Sequence, residues 1–149
     1  MRPENIYVVD SDTPASPGER VVAFLIDYAI GGGLWFIPYV GVALSTLYLL
    51  TRDGLPFLKH RSVGKIILNQ QVIHNHSRSP GLKTSLKRNF IFIHNIITAI
   101  PVVGEEFAYL VLSLNLLAFA IESFLMFTHS DHQRLGDQFA NTHVVKYEQ

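Results

Sequence analysis

The chain has 149 residues, room for one domain or one small membrane bundle. It has no Cys, which excludes a disulfide framework, thiolate metal sites, Fe–S clusters and Cys nucleophiles. Twelve basic and twelve acidic side chains cancel to a formal net charge of zero, yet charged residues are only 16% of the chain, against about 25% in ordinary soluble domains.

Residues 1–18 contain three Pro, with Glu4, Asp10 and Asp12 against Arg2, and read as a flexible cytoplasmic N-terminus. From Val21 to Leu50 there are thirty residues and one charge, Asp27. Asn89 to Ile100 has no Asp, Glu, Lys or Arg, and Phe107 to Phe127 has one charge, Glu122, in twenty-one residues. Apolar runs this long, apolar on all sides, read as membrane spans rather than core helices. A soluble four-helix bundle fits them less well. A cleaved signal peptide fits poorly too, because the first span begins at Arg20 after nineteen largely polar residues, without a basic leader or a small-residue cleavage site.

The thirty-residue run would measure about 45 Å as one helix, long for a core of about 30 Å. Pro38 and Gly41 divide it. The spacing predicts spans over 20–37, 39–51, 85–100 and 105–127, the third closed by Pro101 and Gly104. One long tilted helix in place of the first hairpin is the alternative and gives three spans. Eight of the twelve Lys and Arg fall between Arg52 and Arg88, opposed only by Asp53, whereas the connector after the third span carries Glu105 and Glu106. Positive loops stay in the cytoplasm, so the loop 52–84 is expected inside with both termini. Anionic lipid is the simpler partner for this loop than nucleic acid. Within it Ser62 to Ile73 is rich in β-branched residues, as is Thr142 to Val145, and the two are expected to pair as a small sheet. Asp131 to Phe139 is expected to form a turn or two of interfacial helix. The expected fold is an all-α membrane protein with about four transmembrane helices, N-in and C-in, a two-stranded cytoplasmic β element and a tail over 128–149.

Ionisable groups inside spans are costly and are functional candidates by default. Arg20 and Asp27, Arg88 and Asn95, and Asn115 and Glu122 are each seven apart, nearly two turns, so each pair shares a helix face. The topology gathers Arg20, Asp27, Arg88 and Glu122 in the inner half of the bundle, with His94 and Asn95 just above. Arg88 is the expected partner of Asp27, since Arg20 lies about 10 Å along the axis from it. Glu122 is the expected titrating acid, having no arginine on its own helix and facing Asn115. Two readings stay open: the charges pair and hold the helices together, or one acid titrates or binds a cation during transport. The histidine pairs His74/His76 and His129/His132 read as surface groups, because no third metal ligand is near either. Gly31-Gly-Gly33 suits close helix packing rather than a phosphate loop. Spacing supports no catalytic constellation, metal or cofactor, and an enzyme is not expected.

Five segments together resemble the RDD family of bacterial integral membrane proteins, named for an Arg and two Asp. They are Arg20-Val-Val-Ala-Phe-Leu-Ile-Asp27, Tyr48-Leu-Leu-Thr-Arg-Asp-Gly54, Arg61-Ser-Val-Gly-Lys65, Leu86-Lys-Arg-Asn89, and Gln133-Arg-Leu-Gly-Asp137 with Thr142-His-Val-Val145. Their order matches the family over about residues 20–146, within a membrane domain drawn over 19–146. Arg20 and Asp27 correspond to the Arg and the first Asp; Asp53 corresponds to the second, with Asp137 competing. Gly136 and Asn141 depart from the family's usual His and Gly. The resemblance implies a multi-pass bacterial inner-membrane protein, with small-ion or solute transport, including cation/proton exchange, as the suggested activity. A homo-oligomer is the expected form; the alternative from another class is a non-catalytic accessory subunit of a larger membrane complex.

Overall fold

The computed structural model describes residues 13–74, 80–99, 105–130 and 132–147. Helix α1 (Pro17–Trp35) starts where a start signal is complete. Ser16 accepts a hydrogen bond from the Glu19 amide, the Glu19 side chain accepts one from the Ser16 amide, and Pro17 occupies the first turn. The chain turns through residues 36–40, with Pro38 and the left-handed Tyr39 (φ 66°), into α2 (Gly41–Thr51). A 3₁₀ turn, Pro56–Leu58, and the short α3 (Val63–Ile67) follow. Strand β1 (Gln70–His74) precedes α4 (Leu82–Arg88), a 3₁₀ segment (Phe90–Ala99), α5 (Glu105–Thr128), α6 (Leu135–Phe139) and β2 (Thr142–Lys146). The protein is mostly helical with a small two-stranded sheet.

That sheet joins distant parts of the chain, β1 antiparallel to β2 with Val72 opposite Val144. It is shorter than the sequence suggests. Ser62 accepts from the Lys65 amide and caps α3, so the β-branched run begins as helix. Left-handed Asn69 (φ 49°) ends that turn and only Gln70 onward is strand. The expected flexible N-terminus also needs correction. Residues 1–12 lie outside the described set, but Lys146 donates to the Thr13 carbonyl, Ala15 donates to that of Val144, and Ala15 packs with Val72 and Val144 in a small apolar core.

The expected third span is the main local correction. It is not one α-helix over 85–100: α4 stops at Arg88, with Asn89 as its cap, and Phe90–Ala99 runs on as 3₁₀. Buried Asn89 turns its amide toward the Leu50 carbonyl and the Asp53 carboxylate, and the β-branched Ile91, Ile93, Ile96, Ile97 and Thr98 that follow favour α-helix weakly. Residue 100 and the closing turn 101–104 lie outside the described residues.

Burial is inverted relative to a soluble domain. On α5 the buried residues Val111, Asn115, Glu122 and Met126 form one stripe, while Leu110, Leu112, Leu114, Leu116, Leu117, Ile121, Phe124 and Phe127 are exposed. Within α5, Tyr109–Thr128 is long and apolar enough to cross a membrane, and only 22% of it is buried. At about 1.5 Å per residue α1 and α5 measure roughly 28 and 36 Å, and α2 about 16 Å. The 3₁₀ segment measures about 20 Å at roughly 2.0 Å per residue.

A buried ionic cluster as the candidate site

At one end of the helices, ten polar side chains from distant segments converge: Arg20, Asp27, Arg52, Asp53, Lys65, Arg88, Asn89, Glu122, Arg134 and Asp137, all buried. Asp137 is the hub. It accepts from Arg88 Nε (3.0 Å) and Nη2 (2.6 Å), from Arg20, and from the Arg134 amide (3.3 Å) and guanidinium (3.4 Å). Arg20 also donates to the His132 carbonyl. Asp53 forms the second centre, accepting from Lys65 Nζ at 2.7 Å, with Arg88 Nη1 at 3.4 Å from its other oxygen. Arg88 therefore bridges the two aspartates.

Asp27 forms a third centre. Its Oδ1 accepts from the Gly64 amide (2.8 Å) and from the Tyr48 hydroxyl (3.1 Å), and Arg52 Nη1 lies 3.4 Å from Oδ2. The Arg52 guanidinium also lies over the rings of Phe24 and Phe92, at 5.3 and 5.5 Å.

The expected set is brought together only in part. Arg20 and Asp27 do not pair, as their separation predicts. The expected Arg88–Asp27 pair is replaced: Arg88 serves Asp53 and Asp137, and Arg52 serves Asp27. The reason is the end of α4, which carries Arg88 toward α6 rather than α1. The ground for singling out Glu122 is also corrected. Arg134, which caps α6 and is not on the helix of Glu122, lies 3.4 Å from the Glu122 carboxylate, and the Gly136 amide donates to that carboxylate at 3.3 Å. Asn115 does not face Glu122 but donates to Asn95 Oδ1 at 2.9 Å, a separate polar contact between α5 and the 3₁₀ segment. The side chain of His94 lies outside the described set. Both candidates for the second family Asp are in the cluster, Asp53 and Asp137 each wholly buried.

Depth and spacing in the sequence do not point to Arg52, Lys65, Asn89 or Arg134. Each lies in one of the five family-like segments, which is the sequence signal for it. The basic loop is correspondingly less available to lipid than its sequence charge suggests. Arg52, Lys65 and Arg88 are in the cluster and Arg61 stacks on Tyr147 at 4.1 Å, leaving Lys59, Lys83 and Lys87 exposed among its described residues. His132 is engaged through its ring with the Met126 carbonyl at 2.9 Å.

Burial by itself would push the Asp53 and Asp137 carboxyls up. Lys65, Arg88 and Arg52 around Asp53, and Arg88, Arg134 and Arg20 around Asp137, reverse this and hold both well below the usual carboxylate range. Burial pushes Lys65 down to about 8, against the pull of Asp53. For the two aspartates the unfolded chain binds more protons than the folded one as pH falls through the unfolded value of about 4. Their stabilisation is thus present above that pH and lost below it. Thermal unfolding in mild detergent is expected to be insensitive to these groups from pH 7 to 5 and to move sharply lower below about pH 4. A flat profile down to pH 3 would show that these carboxylates are not paired.

The arrangement defines a class: a small helical protein with large apolar side chains exposed along its helices and nine charged groups folded inward into one network. The chain belongs to the RDD family, a membrane-associated family, whose profile matches residues 14–141. The matched range takes in every member of the cluster. Neither the curated proteins nor the solved structures gave a match.

Proposed function

We propose that this is a multi-pass protein of the bacterial cytoplasmic membrane that takes part in moving a small ion or solute across it. The carrying observation is the inversion of burial: Arg20 and Asp27 of α1 and Glu122 of α5 are buried, while large aliphatic and aromatic side chains face outward along α1, α2 and α5. In this reading α1, α2, the 3₁₀ segment and α5 are the four spans. The short α2 and 3₁₀ segment reach only part of the way through a core of about 30 Å unless the bilayer thins around them. The charge bias of 52–88 puts the ionic cluster, the sheet and both termini on the cytoplasmic side. Exposed Lys59, Lys83 and Lys87 remain to meet anionic lipid. The chain is non-enzymatic and works as a homo-oligomer, since four short spans leave little room for an internal pathway.

Cation/proton exchange is the narrower form of this reading, and two observations weigh against it: Arg134 and the Gly136 amide already engage Glu122, and basic side chains dominate the cluster. The test is flux across vesicles of mixed neutral and anionic lipid containing the purified protein. Transport predicts dissipation of an imposed salt gradient beyond protein-free vesicles. Exchange through Glu122 predicts at least a tenfold slower cation-driven pH change in Glu122→Gln, and an unchanged rate removes that form.

The second reading, an accessory subunit of a larger membrane complex, is favoured by how completely the cluster is sealed, Glu122 being 7% exposed. It predicts vesicles no leakier than controls, and co-purification of larger subunits with the chain in mild detergent.

A further inference from the structure

The cluster does not balance. Among the described residues it contains five cations (Arg20, Arg52, Lys65, Arg88, Arg134) and four carboxylates (Asp27, Asp53, Glu122, Asp137). When all are ionised, one positive charge is surplus in a region closed to solvent, where an uncompensated charge costs several kcal/mol. The surplus has a location. The five cations and Gln70 line one cavity, and no carboxylate lines it. The cavity offers about 20 Å³ to the centre of a water molecule. One water needs about 10–15 Å³ by that measure, so the space is sized for one water or one monatomic ion rather than a tetrahedral oxyanion.

Its walls also carry unused hydrogen-bond donors. Arg52 Nε and both amide atoms of Gln70 are buried without a hydrogen-bond partner, and Arg52 Nη1 and Arg88 Nη1 each have a carboxylate oxygen at 3.4 Å but no hydrogen bond; these three residues are no more than 1% exposed. A guanidinium can only donate, so what completes these groups is an acceptor. A water accepts hydrogen bonds but leaves the charge uncompensated. A halide accepts several at once and neutralises it.

We propose that this cavity is a binding site for one halide-sized inorganic anion, chloride being the abundant one, held by Arg20, Arg52, Lys65, Gln70, Arg88 and Arg134. The anion completes the neutrality of the cluster and ties α1, α3, α4, α6 and β1 to the loop that follows α2. The site stands whether or not the protein transports anything, and its test is a binding test that no flux result decides.

The full-length chain is purified in mild detergent in sodium gluconate, and its unfolding temperature is followed as gluconate is exchanged for chloride, bromide or sulfate at constant ionic strength. Chloride and bromide are expected to raise it saturably by several degrees, and sulfate to leave it at the gluconate value. Equal values in chloride and gluconate, or an equal rise in sulfate, would overturn the site. Lys65→Met removes the surplus charge and Gln70→Leu removes a donor without changing charge. The first is expected to abolish the chloride response and the second to weaken it at least tenfold; an undiminished response in Lys65→Met would overturn the proposal. A bromide-soaked crystal gives a readout independent of how these variants fold. Anomalous scattering centred among Arg52, Arg88 and Gln70 supports the site, and a cavity holding water alone refutes it.

Discussion

Asp137→Asn is expected to destabilise the protein by about 3–5 kcal/mol, the cost of breaking a buried ion pair by removing one partner. The substitution nearly preserves shape, so the loss isolates charge. Asp137 accepts from Arg20, Arg88 and Arg134, and all three guanidiniums are buried. Arg88 keeps Asp53 and Arg134 keeps Glu122, but Arg20 has Asp137 as its only carboxylate partner among the described residues. Denaturant unfolding in mild detergent measures the loss. The exposed Lys146–Glu19 pair, at 3.6 Å, is the comparison, and Lys146→Ala should cost no more than about 1 kcal/mol. Equal small effects at both positions would mean that Asp137 is not the hub.

The second large effect is steric. Gly64→Ala would place its Cβ against the Ala23 carbonyl of α1, and Gly136→Ala would place its Cβ against the Arg88 carbonyl, both far inside contact distance. These neighbours are backbone, so no side chain can swing away. Each substitution must push two elements apart, costing about 1–3 kcal/mol or more. Gly64→Ala has a further consequence, because the Gly64 amide that donates to Asp27 moves with it. Gly136 matters in the same way, since its amide donates to Glu122. In Gly32→Ala the new Cβ meets nothing within 4 Å, and mid-helix alanine should stabilise by up to about 1 kcal/mol. Unfolding measurements on the three variants separate close packing from helix propensity; similar values for all three would refute the packing argument.

The departure at Gly136 from the family's usual His gains a physical reading from this contact. A side chain there would strike the Arg88 carbonyl, so α4 and α6 approach in this chain at a distance that glycine permits. The sequence flagged the departure without revealing what lay opposite.

The apolar runs, the division near Pro38 and the pairing of two distant strands follow from length, turn residues and β-branched content, whereas α1 begins at Pro17, three residues before the expected Arg20, because Ser16 and Glu19 form a capping box. The break after Arg88 does not follow from such local rules, because the Asn89 amide is turned by groups on residues 50 and 53. Seven-residue spacing correctly placed Asn115 and Glu122 on one face of α5, but it could not say that Asn95 answers the first and Arg134 the second.

The amino-acid sequence by itself determined which residues carry charge, that they are few, and that all of the buried cluster but Glu122 sits in five segments in family order. It also segregated them, hiding Asp27 and Glu122 in apolar runs and concentrating Lys and Arg between Arg52 and Arg88. Only the tertiary structure decided the pairing. Partners such as Arg20 and Asp137 are 117 residues apart, and which guanidinium reaches which carboxylate depends on where α4 ends and how α3 and α6 lie against their neighbours. The net charge of zero is a sum over the chain, whereas the cost of burying charge is set locally. The structure turned a balanced composition into a cluster with one positive charge to spare.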